Sequence, residues 1–285
     1  MVNRSFQLII SVIILTLSII NSANAKSKLE IINFKSNVFN NDRTLRILLP
    51  EGYDPNRKAP YKVLYMNDGQ NLFSARQSMT GHEWKMDEIS EELIRSEKIE
   101  SIVIVGIDTP SYADRGNEYL PWPDEYLKPY IAKPNGQLYP AFLEQEVIPR
   151  IEKKYNVGKT ASRRALGGSS YGGLMTLYTA LETKNVFNLY LIESPSLYVA
   201  DGAIFNLLKN KKITADKLYI GIGTHEGLKS CDQEANMDAV NDMKSVVDLM
   251  KGSFKIYDIV EECGLHSEND WSRRLPAALT DLFGS

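Results

Sequence analysis

The five residues Gly168-Ser169-Ser170-Tyr171-Gly172 constrain this chain more than any other stretch, because few backbones accept a serine flanked in this way. Before them, Arg164-Ala165-Leu166-Gly167 reads as the end of a short buried strand; after them, Gly173 to Leu181 reads as a helix. A strand that turns sharply into a helix forces the central residue into a strained conformation and exposes its side chain. The positions two before and two after it must be small, since side chains there would collide with the adjoining strand and helix. Ser170 meets the rule with Gly168 and Gly172, whereas Ser169 has Gly167 before it but bulky Tyr171 after it. Ser170 is therefore the candidate nucleophile; the alternative is a glycine-rich turn with a capping serine.

Strand-length apolar runs alternate with helical patterns along the rest of the chain, which predicts an α/β fold with a mostly parallel sheet. Strands are expected at Leu29 to Phe34, Thr44 to Leu49, Tyr61 to Met66, Ile102 to Ile107, Leu189 to Ile192, Leu218 to Ile222 and Phe254 to Val260. The first two have little between them, so an antiparallel amino-terminal edge is expected. Helices are expected at Asp87 to Ile94, Phe142 to Tyr155, Gln233 to Met250 and Trp271 to Phe283. Residues 110–137 lack clear periodicity but are rich in proline, tyrosine and aspartate. Such a segment after a central strand is expected to be a lid or substrate wall.

The amino terminus is read separately. Arg4 precedes a nearly unbroken apolar run from Leu8 to Ile20, and Ala23-Asn24-Ala25 gives a small-x-small cleavage pattern before Lys26. Residues 1–25 are expected to be a secretory signal peptide, leaving residues 26–285 as one domain in the periplasm or outside the cell. An uncleaved anchor is the alternative, though the run is short for a spanning helix. Removing the signal takes away Arg4 as its one charged side chain and moves the formal net charge from −3 to −4. A mildly acidic surface of mixed sign argues against nucleic acid or anionic membrane as the main partner. No stable membrane insertion is expected after cleavage, and a homodimer is left open.

A serine hydroxyl needs a base, and the chain has three histidines. His266 follows the last predicted strand, the place of the base in a serine, acid, histidine order. His225 follows the preceding strand, where the acid belongs, and His82 lies far before the serine. The loop Gly223-Thr224-His225-Glu226-Gly227 offers Glu226 as the acid that would hold the imidazole tautomer, with Asp232 as runner-up. Both could instead be ordinary solvated carboxylates. The developing oxyanion needs donors, expected from the backbone N–H groups of Tyr171 and of Gln70 in the loop Asn67-Asp68-Gly69-Gln70. That loop could also be a simple turn.

Together, Tyr65 to Phe73, Gly167 to Gly173, Gly223 to Glu226 and Gly264-Leu265-His266-Ser267-Glu268 with Trp271, Arg274, Leu275 and Pro276 resemble the putative-esterase family of α/β-hydrolases. The resemblance spans almost the whole of residues 26–285. It implies an α/β-hydrolase fold with helices on both faces of the sheet and a Ser170, Glu226, His266 triad. Asn67 departs from the pattern, since many relatives carry histidine there. No H-E-x-x-H, phosphate loop or dinucleotide fingerprint follows the first strand, so neither cofactor nor catalytic metal is expected.

The leading expectation is thus a serine ester hydrolase working through an acyl-enzyme on a small-molecule or glycan-linked ester. Acyl transfer on the same scaffold is a close variant, and a non-catalytic binding protein is the rival from another class. Arg115 and Glu118 are expected to orient substrate or to pair with each other. Tyr119, Trp122, Tyr126 and Tyr130 are expected either as stacking surfaces or as residues packed against the body. Cys231 and Cys263, the two cysteines, flank the proposed acid and base and could be bridged or reduced.

Overall fold

The structure is a computed structural model that describes residues 26–252 and 254–284, so the expected signal peptide lies outside the described residues. Period-two burial builds the sheet. In β3 (Lys62–Asn67), Val63 and Tyr65 face one hydrophobic cluster while Leu64 and Met66 face another. In β4 (Ile102–Ile107), Val103, Val105 and Ile107 join the first cluster, and Ile102 and Ile104 join the second. A strand apolar on both faces must be covered on both. Helices α1 (Met86–Arg95) and α8 (Glu268–Phe283) bury one face through Met86, Leu93, Trp271, Leu275 and Leu279. The other face is covered by α3 (Tyr139–Phe142), α4 (Ile148–Lys154), α5 (Tyr171–Glu182), α6 (Val199–Asn210) and α7 (Met237–Met250).

Eight strands among the described residues form one sheet in the order β1-β2-β4-β3-β5-β6-β7-β8. The outer pair β1 (Lys28–Lys35) and β2 (Asp42–Leu49) is antiparallel, and β2 runs antiparallel to β4. Every other pairing is parallel, through β5 (Arg164–Ser169), β6 (Leu189–Glu193), β7 (Lys217–His225) and β8 (Lys255–Leu265). From β3 the chain crosses to β4 on one side and then to β5 on the other. The carboxyl ends of β3 and β5 therefore flank the switch point where open α/β sheets carry their sites.

Three elements differ from the sequence expectations. Helix α7 begins at Met237, because the Asn236 side chain accepts from Ala239 N and caps it there. Residues 110–137 hold a helix, α2 (Tyr112–Tyr119), capped by Ser111, whose buried residues are Gly116, Glu118 and Tyr119. Its inner face is thus not an apolar stripe. Helix α6, which the sequence reading does not include, is kinked near its start by three consecutive left-handed residues, Ala200, Asp201 and Gly202. No helix among the described residues is long and apolar enough to cross a membrane.

Candidate active site

Ser170 sits between the last residue of β5 and the first of α5 with φ 57° and ψ −126°, a left-handed backbone that L-residues adopt only under constraint. The constraint is local. A Cβ on Gly168 would stand 2.7 Å from Gly172 O, so strand and helix approach too closely for a side chain there. Ser170 N donates to Glu193 O at 3.0 Å, Leu174 N donates to Ser170 O at 3.0 Å, and Ser169 is buried at 4% exposure. Ser170 Oγ rests 3.5 Å from Ser196 Oγ and lines a cleft of about 260 Å³ together with Ser194, Tyr198, Ile222, Glu226 and His266.

His266 follows β8 directly. Its Nδ1 lies 2.5 Å from Glu226 Oε2, while Glu226 Oε1 accepts from Ser194 Oγ at 2.6 Å and from Gly223 N at 2.9 Å. Burial opposes ionisation of this carboxyl, but the bonds from His266, Ser194 and Gly223 outweigh it and hold it below its ordinary range. The loop reaches this position through a bulge. Register runs from Gly223 opposite Glu261 to His225 opposite Leu265, and Cys263 takes φ 61° within the extra residues. A Cβ on Gly223 would fall 2.0 Å from Gly264 O, so the two strands touch through glycine. Cys231 and Cys263 are joined in a disulfide with Cα atoms 5.1 Å apart, tying the acid loop to β8 three residues before His266.

The other histidines are placed elsewhere. His225 is buried, with its ring nitrogens on Thr224 Oγ1 (2.9 Å) and Gln233 O (3.0 Å). It lies within 4.8 Å of both cysteine sulfurs, but those sulfurs are spent on each other. His82 is exposed beside Asn269, and the runner-up acid Asp232 is exposed with its carboxylate on Ser230.

The loop after β3 forms a short 3₁₀ turn, Gly69–Asn71, with Gln70 second in it. Its own hydrogen bonds begin at Asn71 N, which donates to Asp68 O, so the Gln70 N–H precedes the turn's internal ladder. Tyr171 N–H, first in α5, likewise has no acceptor one helical turn earlier. Asn67 clasps the two loops together: Nδ2 donates to Gly172 O (2.9 Å) and Thr176 Oγ1 (3.2 Å), and Oδ1 accepts from Tyr139 OH (2.7 Å). An amide thus makes the link between the two loops.

The expected substrate contacts need correction. Glu118 is 1% exposed and paired with Arg43 of β2 at 2.5 Å, and it does not line the cleft. Tyr119 is fully buried, with its hydroxyl accepting from Asp68 N at 3.0 Å. Trp122 packs edge-on against Tyr178. Arg115 does not pair with Glu118: its fork donates to both Asp68 oxygens at 2.8 Å, and its guanidinium lies against the rings of Tyr119 and Tyr171. Tyr126 and Tyr130 do stand exposed. They line an open pocket with Asp124, Glu125 and Asp201, and Tyr198 is shared between that pocket and the catalytic cleft. Asp124 accepts from Tyr171 OH and from Tyr126 N.

Sequence reasoning missed Ser194, Trp271 and Arg274 as neighbours of the acid. Trp271 Nε1 donates to Ser194 Oγ at 3.0 Å, with the indole 5.2 Å edge-to-face from the His266 ring. Arg274 bonds Glu193 at 2.7 Å and Glu261 at 2.5 Å beneath them. Trp271 and Arg274 lie three residues apart on one helix, a signal that could have placed them together.

Comparison with known proteins identifies a family and several relatives. The family model described as Putative esterase matches residues 36–282. The uncharacterized protein YjcH of Bacillus subtilis is 25% identical over 250 residues, covering 88% of this chain and 95% of its own. The ferri-bacillibactin esterase BesA of the same organism is 24% identical, covering 56% of each chain. An IroE-like serine hydrolase structure from Shewanella oneidensis superposes with a TM-score of 0.73 at 18% identity, covering 90% of this chain and 80% of its own.

Proposed function

This chain belongs to the Putative esterase family, and from that premise we propose that it is a serine ester hydrolase working through a Ser170, His266, Glu226 triad. The observation that carries the reading is Ser170, strained at the strand-to-helix turn, opening into the same cleft as the bonded His266–Glu226 pair. His266 Nδ1 is engaged by Glu226, which leaves Nε2 to take the Ser170 proton. The hydroxyl oxygen then bonds the ester carbonyl carbon, and the charge passes to the carbonyl oxygen. Backbone N–H groups of Tyr171 and Gln70 receive that charge. His266 returns the proton to the leaving alcohol as the ester C–O bond breaks, giving an acyl-enzyme. Water, deprotonated by the same imidazole, releases the acid and restores Ser170. Glu226 stays ionised throughout and stabilises the imidazolium.

The resting distance between Ser170 Oγ and Ser196 Oγ, 3.5 Å, leaves the serine free to rotate toward the imidazole. Bonds of this kind often close only in the substrate complex. Residues 1–25 serve, in this reading, to export the enzyme to the periplasm or beyond, where the disulfide persists.

The substrate class follows from the pocket beside the cleft. Its lining carries Asp124, Glu125 and Asp201 with three tyrosines and no basic residue, which repels an anionic ester and offers faces for a neutral aromatic or sugar-bearing one. Two measurements test the function. A fluorophosphonate probe should label Ser170, and p-nitrophenyl butyrate should be hydrolysed; absence of both would refute it. Feruloyl and acetyl-sugar esters should be turned over faster than anionic catecholate esters, and the reverse order would overturn the substrate reading alone.

A further inference from the structure

At the carboxyl end of β6 the chain carries Glu193-Ser194-Pro195-Ser196, and Ser194 there adopts φ 42°, a conformation in which glycine would be relaxed and serine is not. The residue is 2% exposed, so its hydroxyl must find its partners inside the protein. It has three. Trp271 Nε1 donates to Ser194 Oγ at 3.0 Å, Arg274 Nη2 approaches it at 3.3 Å, and the hydroxyl donates to Glu226 Oε1 at 2.6 Å. With both lone pairs facing N–H donors, the single hydroxyl proton has one direction left, toward the carboxylate.

We propose that Ser194 is a positioning residue of the catalytic machinery, which fixes one oxygen of Glu226 and so aims the other at His266. The proposal rests on the triad reading above. Its anchor is deep: Ser194 N donates to Gly221 O at 2.8 Å, and Arg274 is held by Glu193 and Glu261. The same turn also grips the nucleophile, since Glu193 O accepts from Ser170 N and Ser196 N donates to Ser170 O at 3.2 Å. One four-residue segment therefore sets acid and nucleophile relative to each other, across loops far apart in sequence. Gly223 N, the other donor to Glu226 Oε1, is backbone and cannot be tuned by side-chain chemistry. Ser194 is the side chain that can be.

The test compares Ser194→Ala with Ser194→Gly. Both remove the hydroxyl, but glycine also relieves the left-handed backbone. In both, kcat for p-nitrophenyl butyrate should fall roughly 10- to 100-fold, the loss expected for one hydrogen bond to a charged group. KM should stay within about twofold, since no substrate contact is lost. The acid limb of the kcat profile should move to higher pH, because a carboxylate short of one donor holds the imidazolium proton more tightly. In a Ser170→Ala background the low-field proton resonance of the His266–Glu226 bond should shift or broaden when Ser194 is replaced. Wild-type kcat in Ser194→Gly, or a lower kcat with an unmoved acid limb and an unchanged resonance, would overturn the proposal. The resonance needs no turnover, so a wild-type protein that hydrolyses nothing would sink the hydrolase reading and leave this one to its own measurement.

Discussion

Replacing both Cys231 and Cys263 with serine removes the one covalent tie between the acid loop and β8, and its cost can be worked from the chain. The cysteines are 32 residues apart. Closing a loop of that length removes roughly 12 cal/mol/K of entropy from the unfolded chain, or about 3.7 kcal/mol at 25 °C. For a domain of this size, each kcal/mol shifts the melting midpoint by roughly 2–4 °C, so the double variant should melt about 7–15 °C lower. A typical domain holds ~5–15 kcal/mol, so the variant should still be folded at 25 °C. Urea unfolding followed by tryptophan fluorescence should give a lower midpoint with a slope at least as steep, since the unbridged unfolded chain exposes more surface, and the oxidised and reduced wild type should differ by the same amount. The bridge also lies three residues before His266, so loosening it should lower kcat before global unfolding begins. Intact mass after alkylation supplies the control: unreduced, denatured protein should take up no alkyl groups. A stability loss under about 1 kcal/mol would refute the loop-entropy reasoning, and two alkylated thiols in the unreduced protein would remove the bridge.

Ser170→Ala should abolish hydrolysis of p-nitrophenyl esters, with a loss of ~10⁶ in the reference serine protease, while Ser169→Ala should retain most of it. His266→Ala should match the serine variant and His225→Ala should be milder; the reverse ranking would move the base. Arg115→Ala strands Asp68, whose side chain is 4% exposed, and should cost about 3–5 kcal/mol of stability together with kcat on every ester alike. A change confined to KM for one substrate would restore Arg115 as a substrate contact. Glu226 titrates below its ordinary range when folded, so its charge contributes stability that is complete above the unfolded-chain value of ~4.3 and is lost as pH falls through the folded value. The midpoint difference between wild type and Glu226→Gln should therefore shrink as pH drops from about 6 to about 3, and a constant difference would refute that sign.

Much of this molecule was legible because its demands are local. The turn at Ser170 needs small residues at fixed offsets, and strands buried on both faces need unbroken apolar runs such as Ile102 to Ile107. The order of serine, acid and histidine follows from topology, since each lies at the carboxyl end of its strand. What stayed hidden depends on partners distant in sequence. Glu118 and Tyr119 read as polar and aromatic candidates for substrate, yet Arg43 from β2 and Asp68 from the β3 loop claim them, 75 and 51 residues away. Arg115 bridges a similar gap to Asp68. Such pairings leave no periodic trace. Ser194 is the sharpest case: a serine after a buried strand is unremarkable until the left-handed backbone, Trp271 and Glu226 are seen to converge on it. The residues assigned here to the chemistry announce themselves by spacing. Those that aim them are recognisable only where the folded chain brings the loops together.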